Sequence, residues 1–230
     1  MWSGDSTTTP AELADAIGSA GLDAVCITDH NTIAGATELA RSGDLGCHVV
    51  VGEEIRTVEG DLIGLFVVER IPPGLRPAQV ASLIREQGGL VYVPHPCDGA
   101  RHSLQSDAIT ALAGAGLLDI VEVLNAKCPS AYGGPTHGAA PVAASDAHVP
   151  AAVGSAWTEI PHCNLDDATA FLHALHRGSV RGSHFDPARK WTARVIPAGI
   201  RVEGTPTHAR AWVGPHAPQR LGWGAQPPEA

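Results

Sequence analysis

Short apolar runs alternate with helical segments through most of this chain, and this alternation constrains the fold more than any other feature. The apolar runs 22–27, 90–93 and 119–125 are too short for helices and are typical of buried strands. Stretches with helical spacing of apolar residues lie between them. Because strands that alternate with helices every ~20–30 residues are joined as βα units, the sequence predicts an α/β fold with a parallel sheet.

Two helices have recognisable ends. Thr9, Pro10 and Glu12 form the pattern of a capping box with proline at the first helical position, and Gly21 ends this helix. Asn164 is expected to cap the last helix, whose apolar positions continue for about three turns. These local signals predict where the first and last helices begin.

The remaining strands and the domain limits follow from the same pattern. The segment 61–68 is predicted to pair with 48–55 as a hairpin, and 155–160 is expected to complete the strand set. The periodicity is lost beyond residue 182. Residues 1–182 are therefore expected to form one domain, and 183–230 a C-terminal extension that is partly disordered.

Composition and charge exclude several classes of protein. The net charge is −9 and the 230 residues include only two lysines, Lys127 and Lys190, so no nucleic-acid surface is expected. No apolar run has the length of a membrane span, and residues 1–10 lack a signal pattern, so a soluble cytoplasmic protein is expected. The five cysteines include no C-x-x-C pair and are expected to be reduced thiols.

Each of the clearest strands ends in polar residues, which are unusual in an apolar core. Because the carboxyl ends of parallel strands meet on one face, these residues are expected to converge there. Adjacent residues of a strand point to opposite faces, so only one of Glu53 and Glu54 can face the site, and the other is expected in solvent. His95 lies between two prolines, whose rigid loop is expected to present it outward. The strand-end residues are Thr28, Asp29, His30, Glu53, Glu54, His95, Asn125, Asp146 and His148.

The residue types at these strand ends indicate metal chemistry. Imidazoles and carboxylates together suit Zn, Mn or Fe, whereas the absence of paired cysteines argues against a structural zinc site. Two or three such ions would generate a hydroxide nucleophile at neutral pH and neutralise the charge on a phosphoryl group. Either Glu54 or Asp146 could bridge two ions. The sequence therefore predicts a divalent-metal hydrolytic site.

The segments TDHNT, VGEEIRT, VYVPHP, EVLN and SDAH, in this order and spacing, resemble the PHP (polymerase and histidinol phosphatase) family over residues 3–182. The resemblance implies a distorted (β/α)7 TIM-like barrel and metal-dependent hydrolysis of phosphate esters, with a small phosphorylated substrate such as a nucleotide or histidinol phosphate. Family members begin with a strand that carries a His-x-His pair. The resemblance begins after that strand, so the barrel is expected to be incomplete at its first strand.

The resemblance also assigns roles to particular residues. It implies metal ligation by His30, Glu54, His95, Asp146 and His148, with two or three ions in an intact site. Asp146, His148 and Arg101 are the candidate catalytic groups, and Arg101 suits a phosphate because its fork can bind it bidentately. Asn125 and Lys127 are candidate substrate-binding residues in the same pocket.

Two departures from the family pattern leave alternatives open. The expected His-x-His strand is not matched, and residues 128–141 are too rich in glycine and proline for the helix usual there. One alternative is a catalytically impaired remnant that binds metal or ligand, or acts as a scaffold. Another is a hydrolase that uses the same metal chemistry on an amide or phosphodiester bond. The oligomeric state is not specified by the sequence.

Overall fold

The computed structural model describes residue 6 and residues 8–185, and the expected disordered extension lies almost wholly outside them. Short strands and helices alternate along the described chain, as predicted. In chain order the elements are α1 (Pro10–Ala20), β1 (Ala24–Ile27), α2 (Ala34–Ser42), β2 (His48–Arg56), β3 (Asp61–Leu65), α3 (Pro77–Glu86), β4 (Leu90–Val93), α4 (Ser106–Gly114), β5 (Ile120–Asn125), β6 (Ala140–Ala144), β7 (Ala156–Glu159), α5 (Ala168–Leu175) and β8 (Ser179–Gly182).

Six strands form one sheet in the order β1-β2-β3-β4-β5-β6, which curls into part of a barrel. The strands run parallel except β3, which is antiparallel to both of its neighbours. The predicted hairpin of β2 and β3 is confirmed, with Glu54 opposite Ile63. Within the described chain β1 pairs only with β2, so it forms an edge of the sheet. The predicted α/β fold with an incomplete TIM-like barrel is thus confirmed.

The last two strands differ from the expectation. The segment 155–160, expected to complete the strand set, forms β7, but β7 pairs antiparallel with β8 in a separate two-stranded sheet. Thr158 of β7 joins the barrel through its side chain, since its Oγ1 accepts the backbone N–H of Ala143 at 2.8 Å.

The predicted cap is correct for the first helix, α1, and wrong for the last helix, α5. In α1 the capping box forms as predicted: Glu12 N–H donates to Thr9 Oγ1 at 3.2 Å, and Thr9 N–H donates to Glu12 Oε2 at 2.9 Å. At α5 the predicted cap is wrong, because Asp167 Oδ1 accepts the N–H of Ala170 at 3.0 Å. Asn164 instead accepts from Asp166 N–H in the preceding turn. Asn164 and Asp167 are both residue types that cap helices, and Asp167 forms the cap because the helix begins at the next residue.

An apolar floor closes the amino-terminal end of the barrel. Phe171 and Leu175 of α5 pack against Leu90, Ile120 and Ala140, which are the first residues of their strands. Phe66 adds an edge-to-face ring contact with Phe171, with centroids 5.5 Å apart. This floor, formed by α5 and the strand starts, leaves the carboxyl ends of the strands free for polar residues.

A second apolar layer lies outside the sheet, where α3 and α4 cover β2, β3 and β4. Glu53 points into this layer and is fully buried, so the expectation that it would be in solvent is wrong. Its Oε2 accepts the N–H of Ile71 at 2.8 Å, while Oε1 has no hydrogen-bond partner among the described residues. Burial raises the pKa of Glu53, against the opposing effects of the Ile71 N–H and Arg70.

Two further observations bear on the sequence expectations. All five cysteines are free. No helix in the described part of the chain combines the length and the apolar character that a membrane span requires.

Candidate metal centre

The structure brings the sequence-predicted site residues together at one end of the barrel. His30 follows β1, Glu54 lies near the end of β2, and His95 follows β4. Asn125 ends β5, while Asp146 and His148 follow β6. The carboxyl ends of five strands therefore supply the residues around one opening, which we call the mouth.

Glu54 lies between two imidazoles on one side of the mouth. Its Oε2 is 3.7 Å from His30 Nε2, and its Oε1 is 3.2 Å from His95 Nε2. Backbone pairing fixes the arrangement, because His30 forms an isolated parallel bridge with Glu54. The two histidines thus face the same carboxylate, His30 from the end of β1 and His95 from the end of β4.

Asp61, the first residue of β3, adds a carboxylate to this group. Ligand atoms of His30, Glu54 and Asp61 all lie within 4.8 Å of one another. Asp61 Oδ1 also contacts His102 Nδ1 at 3.0 Å and Arg56 Nε at 3.4 Å. Imidazole nitrogens and carboxylate oxygens at such separations fit a divalent Zn, Mn or Fe ion, so the donor set is suited to a metal.

His95 is held in place by the groups around it. Its Nδ1 contacts Ser103 Oγ at 2.8 Å, and its backbone N–H donates to Glu122. The side chain is 6% exposed and points into the mouth, so the expectation of an outward histidine is wrong. The loop after β4 turns back over the barrel, with His95 at a φ of 29°, a conformation that is uncommon outside glycine and is found at functional sites.

Charge neighbours set the protonation of His95. Burial lowers the pKa of His95, but the hydrogen bond and negative charge of Glu54 outweigh it, so the pKa lies above its ordinary value. In metal sites, the ring nitrogen of a histidine that does not bind the metal usually forms a hydrogen bond with a nearby oxygen. Ser103 Oγ provides such an oxygen at Nδ1 of His95, while Nε2 faces Glu54.

Asp146 forms a second group on the opposite side of the mouth. Its Oδ2 accepts from Arg101 Nη1 at 2.6 Å and from Asn125 Nδ2 at 3.1 Å. Its Oδ1 lies 3.3 Å from Lys127 Nζ and 3.4 Å from His148 Nδ1. Asp146 has a φ of 48°, again an unusual value for a residue with a side chain.

The electrostatic balance at Asp146 favours its ionised form. Burial alone raises the pKa of this carboxyl, but Lys127, His148 and Arg101 outweigh burial, and the pKa lies below its ordinary value. Arg101 is in turn held by Asp98, with Nε 3.4 Å from Oδ2. The group therefore combines an anionic metal-type ligand with two cations suited to phosphate.

Glu122 is a buried carboxyl beneath both groups that sequence reasoning missed. Tyr92 Oη donates to its Oε1 at 2.7 Å, and Asn125 Nδ2 donates to its Oε2 at 2.9 Å. Burial raises the pKa of Glu122 to about 7, with Asp146 adding to the rise against three hydrogen bonds that oppose it. Glu122 is the one acidic residue within β5, and its place in an otherwise apolar strand was the available signal.

A β-bulge explains how Glu122 and Asn125 come to share one face. The pairing of β5 with β6 shifts register between Glu122 and Leu124. The bulge reverses the alternation of side chains, so residues three positions apart both point inward. Strict alternation would have placed Asn125 on the outer face, away from Asp146.

Asp61, Ser103 and His102 were also missed. Asp61 was visible only as a charged residue at the start of an apolar strand. Ser103 reaches the site because the loop before α4 forms a bridge with Asp61. No sequence spacing indicates that contact, since it joins residues 42 positions apart.

A large cavity connects the mouth with the interior of the barrel. Its volume is about 990 Å³, and its lining includes His30, Glu54, His95, Glu122 and Asp146 together with apolar residues of the core. Clefts of this size suit small molecules. An α/β half-barrel with imidazole and carboxylate donors at the carboxyl ends of its strands defines a barrel protein with a candidate metal centre.

Comparisons with known proteins support this class. A family model described as PHP-associated matches residues 136–180. The protein MJ1587 of Methanocaldococcus jannaschii is 43% identical over 123 residues, which cover 53% of this chain and 69% of that protein. Among solved structures, a two-domain Bacteroides vulgatus protein that contains a predicted PHP-like metal-dependent phosphoesterase gives a TM-score of 0.63 at 17% identity, over 80% of this chain and 62% of the other.

Endonuclease Q, solved with a 27-mer duplex that carries an abasic lesion, gives a TM-score of 0.55 at 14% identity, over 76% of this chain and 53% of the other. At these identities the two solved structures show a common fold. Together with the family model and the archaeal relative, they show that the chain belongs to the PHP family, which confirms the resemblance seen in the sequence.

Proposed function

We propose that the protein is a metal-dependent phosphoesterase that hydrolyses phosphomonoesters of small molecules. One observation carries the proposal: the mouth contains both a metal-type donor set, centred on Glu54, and the cations Arg101 and Lys127, which contact Asp146. Metal ligands activate water, and cations hold phosphate, so the two groups together suit hydrolysis at phosphorus. The solved Bacteroides vulgatus relative, which contains a predicted metal-dependent phosphoesterase, supports the same chemistry.

His30, Glu54, His95, Asp146 and His148 are the proposed metal ligands, and Asp61 is close enough to join them. Bound divalent ions would supply an activated water or hydroxide as nucleophile and would neutralise charge on the phosphoryl group. Two or three ions of Zn, Mn or Fe are proposed, because the donors occupy both sides of the mouth.

The remaining residues position the substrate. Arg101 is proposed to hold the phosphate, because its planar fork binds two phosphate oxygens at once. Asn125 lies between Glu122 and Asp146 and can orient a phosphate oxygen with its amide. Glu122 Oε1 and Tyr92 Oη share a hydrogen bond beneath these residues, which keeps the base of the site rigid.

A small phosphorylated compound, such as a nucleotide or histidinol phosphate, is the proposed substrate. The cavity of about 990 Å³ has room for such a molecule, and apolar core residues line its deeper part. A net charge of −9 with two lysines disfavours a long phosphate backbone. The cations that lie in the mouth are suited to one phosphate group.

The first experiment measures metal stoichiometry of the purified 230-residue chain by elemental mass spectrometry, followed by a panel of phosphomonoesters with added Mn²⁺ or Zn²⁺. We expect at least one bound ion and hydrolysis of at least one phosphomonoester. His95→Ala and Asp146→Ala should each lose metal and activity. His173→Ala, which changes an exposed histidine on α5 at the opposite end of the barrel, is the matched control.

Each result has a defined meaning. Hydrolysis retained in His95→Ala or Asp146→Ala would contradict the assignment. A folded chain that binds ions but cleaves no phosphomonoester would favour the alternative of a metal- or ligand-binding remnant. Cleavage of a phosphodiester or an amide in place of a phosphomonoester would keep the metal chemistry and change the substrate class.

A further inference from the structure

Both carboxylate oxygens of Asp146 contact cationic side chains of the protein itself. Lys127 Nζ lies 3.3 Å from Oδ1, and Arg101 Nη1 lies 2.6 Å from Oδ2. Glu54, on the other side of the mouth, faces the imidazoles of His30 and His95. The carboxylate of Asp146 therefore faces two cations of the protein, whereas that of Glu54 faces two imidazoles.

The ammonium of Lys127 also contacts His148. Its Nζ lies 3.1 Å from Nδ1 and 3.3 Å from Nε2 of that ring. One carboxylate oxygen of Asp146 and the ring nitrogens of His148 are thus within reach of a single positive charge. A divalent ion would use the same oxygen and a ring nitrogen at about 2.0–2.2 Å. Lys127 and a metal ion cannot occupy this position together.

Of the two cations, Lys127 has the longer contact with Asp146. Arg101 has the shorter contact with Asp146 and forms a second ion pair with Asp98, with Nε 3.4 Å from Oδ2. Lys127 is fixed through its backbone, whose N–H donates to Asn125 Oδ1 at 2.8 Å, while its side chain is 23% exposed. A flexible four-carbon stem lets the ammonium move without a change in the backbone.

The geometry points to Lys127 as a built-in cation that competes with a divalent ion for Asp146 and His148. This inference rests on the proposed function, since it concerns the same metal ligands. Loading of a metal ion at Asp146 and His148 moves the ammonium away. Because Lys127 stays anchored at its backbone, the displaced ammonium remains at the mouth, where it can meet an anionic substrate.

The test compares Zn²⁺ binding to the full chain and to Lys127→Met by isothermal titration calorimetry, with no substrate present. Methionine keeps much of the stem and removes the charge. We expect the weakest Zn²⁺ site of the wild type to bind at least about tenfold more tightly in Lys127→Met, equivalent to about 1.4 kcal/mol. Arg181→Met is the matched control, because it removes one positive charge from the exposed pair between Arg181 of β8 and Glu159 of β7 and should leave Zn²⁺ affinity unchanged.

The direction of the change decides the outcome. Unchanged or weaker Zn²⁺ binding in Lys127→Met would overturn the inference, because a residue that merely positions Asp146 would weaken binding when removed. If the wild type binds Zn²⁺ normally in that case, the proposed function stands. If neither protein binds Zn²⁺, both fail. If only Lys127→Met gains a site, competition by the ammonium is supported directly.

A second measurement uses the wild type and does not depend on the variant folding. The chain has two lysines, so acetylation by an N-hydroxysuccinimide ester can be followed at each by mass spectrometry, with Lys190 as the internal reference. We expect saturating Zn²⁺ to increase the acetylation rate of Lys127 relative to Lys190 at least about threefold, since the displaced side chain is more accessible to the reagent than the 23% exposed side chain of the metal-free protein. An unchanged ratio at saturating Zn²⁺ would overturn the inference.

Discussion

Replacement of Glu122 by glutamine should change how the stability of the protein depends on pH. Glu122 is buried among Tyr92, Asn125 and the backbone of His95, and its pKa rises from 4.5 to about 7. In Glu122→Gln, the amide oxygen can accept from Asn125 and His95, and the amide nitrogen can donate to Tyr92 Oη. Glutamine therefore resembles the protonated acid at every pH.

The magnitude follows from the difference between the two pKa values. A carboxyl whose pKa is raised by folding adds stability that is complete below the unfolded pKa and is lost as the pH rises through the folded pKa. The interval from 4.5 to about 7, at about 1.4 kcal/mol for each pH unit, corresponds to about 3–4 kcal/mol. The wild type should lose this much free energy of unfolding between pH 4 and pH 8, relative to Glu122→Gln.

Urea unfolding at four or five pH values, with EDTA present so that no ion alters the charge balance, measures the difference between the two proteins. The exposed glutamate Glu59, changed to glutamine, provides a control whose curve should run parallel to that of the wild type. If the difference in free energy of unfolding between the wild type and Glu122→Gln is the same at pH 4 and pH 8, the assignment of a raised pKa to Glu122 is refuted.

Three further predictions concern the floor, a close turn and the metal. Leu175→Ala should lower the free energy of unfolding by about 2–5 kcal/mol in urea, because it opens a cavity in the floor, and unchanged stability would contradict the packing described. Gly60→Ala should destabilise by about 1–3 kcal/mol, since its Cβ would lie 2.3 Å from the backbone nitrogen of Leu104; wild-type urea midpoints would argue against this close approach. Free Zn²⁺ at 100 times its dissociation constant should stabilise the wild type by about 2.7 kcal/mol, seen as a higher thermal midpoint, and His95→Ala should show no such shift.

Short sequence patterns were sufficient to predict the elements whose formation depends only on neighbouring residues. The capping box of α1 formed as predicted, because Thr9 and Glu12 satisfy each other without help from distant residues. The convergence of His30, Glu54 and His95 followed from one rule about parallel strands, which holds regardless of side-chain detail. Both predictions required only the type and order of the elements.

Features that depend on distant packing could not be predicted in the same way. The burial of Glu53 depends on Ile71, which lies 18 residues away and supplies its hydrogen bond. The inward direction of Asn125 depends on a bulge that leaves no mark on the composition of β5. The position of Asp61 beside Glu54 requires the antiparallel course of β3, which the hairpin pattern indicated without showing which side chains would meet.

The separation of an apolar floor from a polar mouth has a consequence for how this protein can change over evolutionary time. Residues that hold the barrel together, such as Phe171 and Leu175, lie at one end, and residues with chemical roles, such as Glu54 and Asp146, lie at the other. Substitutions more than about 7–10 Å apart that share no contacts usually have additive effects on stability. New specificities can therefore accumulate at the mouth while the scaffold that tolerates them is inherited unchanged.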